Sequence, residues 1–282
     1  MTPMLGRMTG NARGILAKTL RVLGGSITDV QLGDNVEMEA AVLVSDIRGF
    51  TTLSEHMTPD ENFRFVNDYL AVAGPPIRRN GGFVDRYSGD GVLAVFPGGA
   101  DDALRAARET MRGLAEFNRE RVSRGLEPVR IGIGLHRGRL RLGIVGELQR
   151  RQGDIFADAV NVASRVEGLT KVYGSSVIVS EALLMGLSDP DGSLPLRRAL
   201  GSVMVKGRSG AIVLHEAYEF DAPDLVRHKQ ATREDFETAG RLIESDRSAE
   251  ALVLLERIIA AHPGDLAARR LHEEATTRMR AA

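Results

Sequence analysis

The sequence predicts an α+β fold, a ferredoxin-like split βαβ sheet with helices packed on one face of it, plus a small C-terminal α-helical segment. Three observations predict it. Strand and helix signals alternate as β-α-β-β-α-β between residues 37 and 220; a Ser88-Gly89-Asp90-Gly91 turn joins two apolar runs into a hairpin; and strand signals vanish after residue 220, where Ala, Leu, Arg and Glu dominate. The 282 residues therefore divide into an N-terminal helical lead-in (1–36), a main α+β domain (37–220) and a helical segment (221–282).

Each element has a local reason. In the lead-in, Ala12, Ile15, Leu16, Leu20 and Leu23 recur at helical spacing opposite Arg13, Lys18 and Arg21. Such a helix packs on its own domain or on a second copy, although a basic amphipathic helix can also rest on a membrane surface. Residues 39–46, EAAVLVSD, form a short apolar run that reads as a buried strand. Thr58-Pro59-Asp60-Glu61 is a helix start, with Thr as cap, Pro in the first position and Glu three beyond the cap. That helix is expected to stop near Ala73, before Gly74-Pro75-Pro76. Phe83–Tyr87 and Val92–Phe96 flank the SGDG turn as paired strands. From Asp101 to about Arg124, Leu104, Ala107, Met111, Leu114 and Phe117 mark one stripe of a long helix. Val129–His136 and Leu140–Val145 read as two strands around His136-Arg137-Gly138. A helix follows from about Asp158 to Tyr173, then strands at Ser176–Val179, about Arg197–Val205 and Ala211–Tyr218. In the tail, Ala239, Leu242, Ala251, Leu255, Ile258 and Pro263 follow the order of a tetratricopeptide repeat, with a plain helical hairpin as the other reading. One repeat cannot bury its own apolar face, so the tail must pack on the main domain, on a second chain or on a protein partner. Because the motifs described below end before residue 220, a chain lacking residues 225–282 is expected to stay folded.

Composition narrows the function classes. Lys plus Arg total 37 and Asp plus Glu 38, a net charge of −1, which speaks against a nucleic-acid partner held by bulk charge. There is no Cys, which excludes disulfides, thiolate catalysis and thiolate metal sites and fits a cytoplasmic setting. No apolar run reaches the length of a transmembrane segment.

Two groups of residues carry chemistry. Asp46 ends the first strand, and Asp90 sits in the hairpin turn. If the hairpin pairs beside that strand, the two carboxylates meet and repel unless a cation neutralises them. Oxygen ligands at so few positions suit Mg²⁺ or Mn²⁺, completed by phosphates and water. Gly49 lets the backbone approach a phosphate closely. Taken singly, each Asp reads equally as a cap or turn residue. The second group is Asn161 and Arg165, four apart on one helix face, an amide and a permanent charge that can steady a developing phosphorane.

VLVSDIRGFTTLSE, GGFVDRYSGDGVLAVFP, RIGIGLHRGRLRLGIVGE, DAVNVASRVEGLTKVYG and VMVKG, in this order, resemble the class III nucleotidyl cyclases of bacterial type, over about residues 32–220. The resemblance implies an adenylate cyclase that turns ATP into 3′,5′-cyclic AMP and pyrophosphate with two Mg²⁺ or Mn²⁺ ions, working as a head-to-tail homodimer. It implies metal binding by Asp46, Asp90 and the Ile47 carbonyl, a phosphate cradle at Gly49, Phe50 and Thr51, ribose orientation by Asn161, phosphorus stabilisation by Arg165, and a phosphate contact from Lys206. Arg130 lies within two residues of the position of a further phosphate arginine of the family; His56 and His136 read as structural or surface residues. Base reading falls to Arg86, where the family commonly has Lys, and to Asp154. Arg86 can donate to adenine N1 or to guanine O6, so GTP is the alternative substrate. A silent nucleotide-sensing or scaffold module is the alternative from another class, and the intact Asp46, Asp90, Asn161, Arg165 and Lys206 speak against it. Ala157 stands where many members have Gly.

Overall fold

The computed structural model describes residues 33–146, 151–204 and 210–281. The lead-in expected over 1–36 lies almost wholly outside the described residues, and so does Lys206.

The first strand, β1 (Asn35–Ile47), is longer than the apolar run that revealed it. It is followed by a short helix α1 (Phe50–Glu55), a long helix α2 (Pro59–Arg79), the hairpin β2 (Phe83–Ser88) and β3 (Gly91–Phe96), and α3 (Ala100–Ser123). Then come β4 (Ile131–Gly146), β5 (Arg151–Phe156), α4 (Asp158–Tyr173), β6 (Val177–Ser180), the single-turn helices α5 (Glu181–Leu184) and α6 (Pro190–Ser193), β7 (Arg197–Met204) and β8 (Ala211–Ala217). The tail forms α7 (Pro223–Ala231), α8 (Arg233–Glu244), α9 (Ser248–Ala261) and α10 (Leu266–Ala281).

The sheet order is β2-β3-β1-β4-β6-β8-β7, with β5 paired to β4 off this path. β3 lies antiparallel between β1 and β2, so β1 and β2 run parallel with a strand inserted between them, the split βαβ arrangement. The hairpin thus sits beside β1, as Asp46 and Asp90 require.

Helices cover both faces of the sheet rather than one. Ala41, Leu43 and Ile47 point into a core shared with Phe65, Tyr69 and Ile77 of α2 and with Leu104 and Ala107 of α3. Ala40 and Val42 point the other way, toward Leu142, Ile155 and the α4 residues Ala159 and Ala163. With both faces covered, β1 reads as a continuous apolar run instead of an alternating one. Farther along the same second face, Val162 and Val166 of α4 and Leu200, Ile212 and Leu214 of the sheet meet Phe236, Ala251, Leu255 and Leu271 of the tail. Ala239, Ala251, Leu255 and Ile258 are all buried there, so the tail packs its apolar face on the sheet of its own chain.

Three local expectations are corrected. α2 continues through Pro75 and Pro76 to Arg79. Two N–H donors are lost, but burial of Ala73, Gly74, Pro76 and Ile77 against the core offsets this, and the Pro76 carbonyl still accepts from Asn80 N–H. β4 is one 16-residue strand with no turn at Arg137-Gly138. It is held straight by unbroken pairing with β1 from Asn35↔Gly143 to Ile47↔Ile131, with Arg137–Glu39 and Arg141–Glu37 ion pairs across the two strands. β5 carried no strand signal of its own; RQGDIF lacks apolar alternation and is a strand because β4 offers it an edge.

Candidate active site

Asp46 and Asp90 come together at one end of the sheet. Asp46 is one residue from the end of β1, opposite Gly132 of β4. Asp90 sits in the tight turn between β2 and β3, with the adjacent Gly89 in the left-handed region. The Ile47 N–H donates to Asp90 Oδ2 at 2.9 Å, which ties the turn to the strand end. Asp90 is buried while Asp46 keeps an exposed edge. The Asp46 carboxyl is pushed up to about 7, first by partial burial, then by its hydrogen bond to Asp90 and the charge of that carboxylate, with Glu167 adding to the repulsion. A pair of oxygens that holds on to a proton in this manner is a fit for a hard divalent cation, which relieves the same repulsion. The Ile47 side chain is buried in the core, so this residue can meet a cation only through its backbone.

Gly49 adopts φ 68°, the left-handed region that favours glycine, and caps α1 without a side-chain hydrogen bond. Phe50 stacks on Phe65 with ring centroids 6.3 Å apart, which anchors the start of α1, and Thr51 is exposed. Arg48 turns away from the cradle and donates to the Ser175 carbonyl at 2.7 Å.

Asn161 and Arg165 lie on α4 as the sequence predicts. Both are exposed, and neither has a hydrogen-bond or ion-pair partner among the described residues. The helix sits hard against the sheet because Gly134 has no side chain. A Cβ there would stand 2.2 Å from the Glu167 nitrogen and 2.6 Å from the Ala163 carbonyl oxygen. Gly174, at φ 65°, ends the helix.

Arg86 and Asp154 are brought together although 68 positions separate them. β5 pairs Asp154 with Gly143 of β4, and Arg86 Nη2 donates to Asp154 Oδ1 at 3.1 Å. Arg86 Nε donates to Asp85 Oδ2 at 2.7 Å. An open groove of about 440 Å³ runs beside them, lined by Arg86, Ser88, Phe156, Asn161 and Ser164 among others. Asp46, Asp90 and Arg165 are not among its lining residues.

Sequence reasoning missed Asp85 and Glu167. Asp85 was masked by its neighbour Arg86, although a carboxylate beside an arginine in a short strand was visible. Glu167 lies two positions beyond Arg165 and falls in an ordinary helical stretch. Burial pushes its carboxyl up, Arg48 pulls it back, and Asp90 adds repulsion. Lys206 lies outside the described residues.

A family profile described as the adenylate and guanylate cyclase catalytic domain matches residues 34–216. An adenylate cyclase of Anabaena cylindrica is 44% identical over 195 residues, which are 67% of this chain and 39% of that protein. Among solved structures, the guanylyl cyclase Cya2 is 28% identical with a TM-score of 0.56, covering 68% of this chain and 97% of that one. A bacterial light-regulated adenylyl cyclase is 25% identical with a TM-score of 0.63, covering 76% and 61%. The chain spans well under half the length of the curated relatives it matches. No helix among the described residues is long and apolar enough to cross a membrane.

Proposed function

The chain belongs to the family of adenylate and guanylate cyclase catalytic domains, and we propose that it converts ATP into 3′,5′-cyclic AMP and pyrophosphate at sites shared between two copies of itself. The observation that carries this reading is the Asp46–Asp90 pair, two carboxyls placed side by side at a sheet end with one of them raised to about 7. The share of sequence held in common with the Anabaena cylindrica adenylate cyclase supports ATP as the substrate.

Asp46, Asp90 and the Ile47 carbonyl would hold two Mg²⁺ or Mn²⁺ ions. Bound there, such ions would lower the pKa of the ribose 3′-hydroxyl and neutralise charge on the triphosphate. The backbone amides after Gly49, at Phe50 and Thr51, face the phosphates, and Lys206 grips the terminal ones. Asn161 orients the ribose so that its 3′-oxygen lies in line with the α-phosphorus. Arg165 offsets the charge that builds as the bond to pyrophosphate breaks. Arg86 donates to adenine N1, and Asp154 accepts from the exocyclic amine. No side chain acts as a dedicated base.

Asp46 and Asp90 are not among the residues that line the Asn161 groove, and in the head-to-tail pairing that the family resemblance implies, the carboxylate pair of one copy would meet Asn161 and Arg165 of the other at one nucleotide. GTP is the competing substrate, because Arg86 can also donate to guanine O6 while Asp154 accepts from guanine N1–H. A cytoplasmic setting fits a cysteine-free chain that consumes ATP. Incubating the purified chain with Mn²⁺ and either ATP or GTP, then separating the products, tests the reading. Cyclic AMP with an equal amount of pyrophosphate is expected; cyclic GMP alone, or no cyclic product from either nucleotide, contradicts it.

A further inference from the structure

Neighbouring residues of a regular strand point to opposite faces of the sheet. Asp85 and Arg86 break this rule. Along β2, Phe83 pairs with Val95 and Val84 with Ala94, but the next pairing joins Arg86 to Leu93, so Asp85 is an extra residue, a β-bulge. The bulge lets the two side chains meet, and Arg86 Nε lies 2.7 Å from Asp85 Oδ2. Asp85 is 4% exposed, a carboxylate set into the protein beneath an arginine whose side chain remains 54% exposed. Asp154 takes Nη2 of the same guanidinium. Two of its three nitrogens are thereby engaged by carboxylates from two strands, and Nη1 is the third.

Resting on the proposed cyclase reading, we propose that Asp85 is a positioning residue for base selection. Presented by the bulge, it fixes the plane of the Arg86 guanidinium, so that the purine edge is read by a three-residue unit, Asp85–Arg86–Asp154. An arginine side chain carries many rotamers, and a reader free to swing can follow either base edge. Held at Nε by a buried carboxylate, it presents its remaining donors in one direction. Without Asp85, Arg86 is free to close both forks on Asp154, which withdraws that acceptor from the base as well.

The test compares kcat/KM for ATP and GTP in the wild type, Asp85→Ala, Asp85→Asn and the same Asp85 changes in an Arg86→Ala background. Asp85→Ala is expected to move the ATP:GTP ratio at least threefold toward equality, chiefly through KM for ATP. Asp85→Asn keeps the volume and an acceptor for Nε and is expected to fall between wild type and Asp85→Ala. In the Arg86→Ala background, either change leaves the ratio where it was. A folded Asp85→Ala that loses activity equally on both nucleotides, or a ratio change that persists without Arg86, overturns the proposal. If Asp85→Ala lacks a cooperative melting transition, Asp85→Asn decides, and an unchanged ratio there overturns it. A wild type that forms no cyclic nucleotide contradicts the cyclase reading alone. Affinities for fluorescent N-methylanthraniloyl ATP and GTP then replace kcat/KM, with the same pattern expected and the same outcomes overturning the proposal.

Discussion

At the scale of single residues, the carboxylate pair is the most strongly perturbed feature of the site. Asp46 holds its proton to about 7 because burial and Asp90 both oppose its charge, and the Ile47 N–H holds Asp90 in place at 2.9 Å. Asp46→Ala or Asp90→Ala should therefore abolish cyclic nucleotide formation while the fold survives, since each change removes a repelling charge and neither side chain fills the apolar core. Product assays beside thermal melts check this, and retained turnover in either folded variant contradicts the metal assignment. Much of this set was legible in the sequence. A strand-ending Asp, an SGDG turn and an Asn/Arg pair four apart need only spacing to be noticed. The Arg86–Asp154 contact was legible only through the family resemblance, because it depends on the pairing of β5 with β4. Asp85 was visible as a carboxylate beside an arginine, but its contact with Arg86 was not legible, because that contact follows from a bulge that no local pattern announces.

At the scale of elements, α4 matches its predicted limits, Asp158–Tyr173, because an amphipathic stretch bounded by Gly174 contains its own start and stop. β4 is one strand where two are expected, and β5 forms where none is expected, because pairing partners, not propensities, decide where strands run. The tail helices join the sheet through a buried charge network that no periodicity reveals. Arg198 of β7 is fully buried and donates to Glu216 of β8 and, through both terminal nitrogens, to Asp265 before α10; Lys229 of α7 donates to Glu216 and Asp221. Within it, His228 Nε2 is buried without a hydrogen-bond partner among the described residues, 3.7 Å from Asp265, and its ring lies tilted at 33° to that of His262 with centroids 5.1 Å apart. Burial lowers its affinity for a proton; Asp265 opposes this, while His262, Arg198 and Lys229 reinforce it. The unfolded chain then binds more protons than the folded one below the ordinary value of 6.5. Stability should fall as the pH drops through and below that value toward the lower folded pKa. Melting temperatures between pH 7.5 and 5.5 are expected to decline, with a shallower slope in His228→Gln; parallel slopes contradict the assignment.

At the scale of the whole molecule, the tail and the sheet share one core. Removing residues 225–282 takes away Lys229 and Asp265 and uncovers Leu200, Ile212 and Leu214. Breaking a buried ion pair by deleting one partner costs about 3–5 kcal/mol. The packing therefore changes the expectation drawn from the motifs. The truncated chain should be insoluble or lose its cooperative melting transition, and a truncated chain that melts like the full one contradicts the shared core. The other whole-molecule claim is that the site is divided between two copies, one bringing Asp46 and Asp90 and the other Arg86, Asp154, Asn161 and Arg165. Mixing two inactive variants, Asp46→Ala and Asn161→Ala, tests this most directly. Random exchange makes about half the dimers mixed, each with one intact site, so about a quarter of wild-type cyclic AMP formation should return. Asp46→Ala mixed with Asp90→Ala should stay inactive, because both defects fall on the same half. Return of about a quarter of the activity in the first mixture and none in the second is the predicted result; a first mixture that stays inactive after subunit exchange has been verified contradicts a site built from two copies.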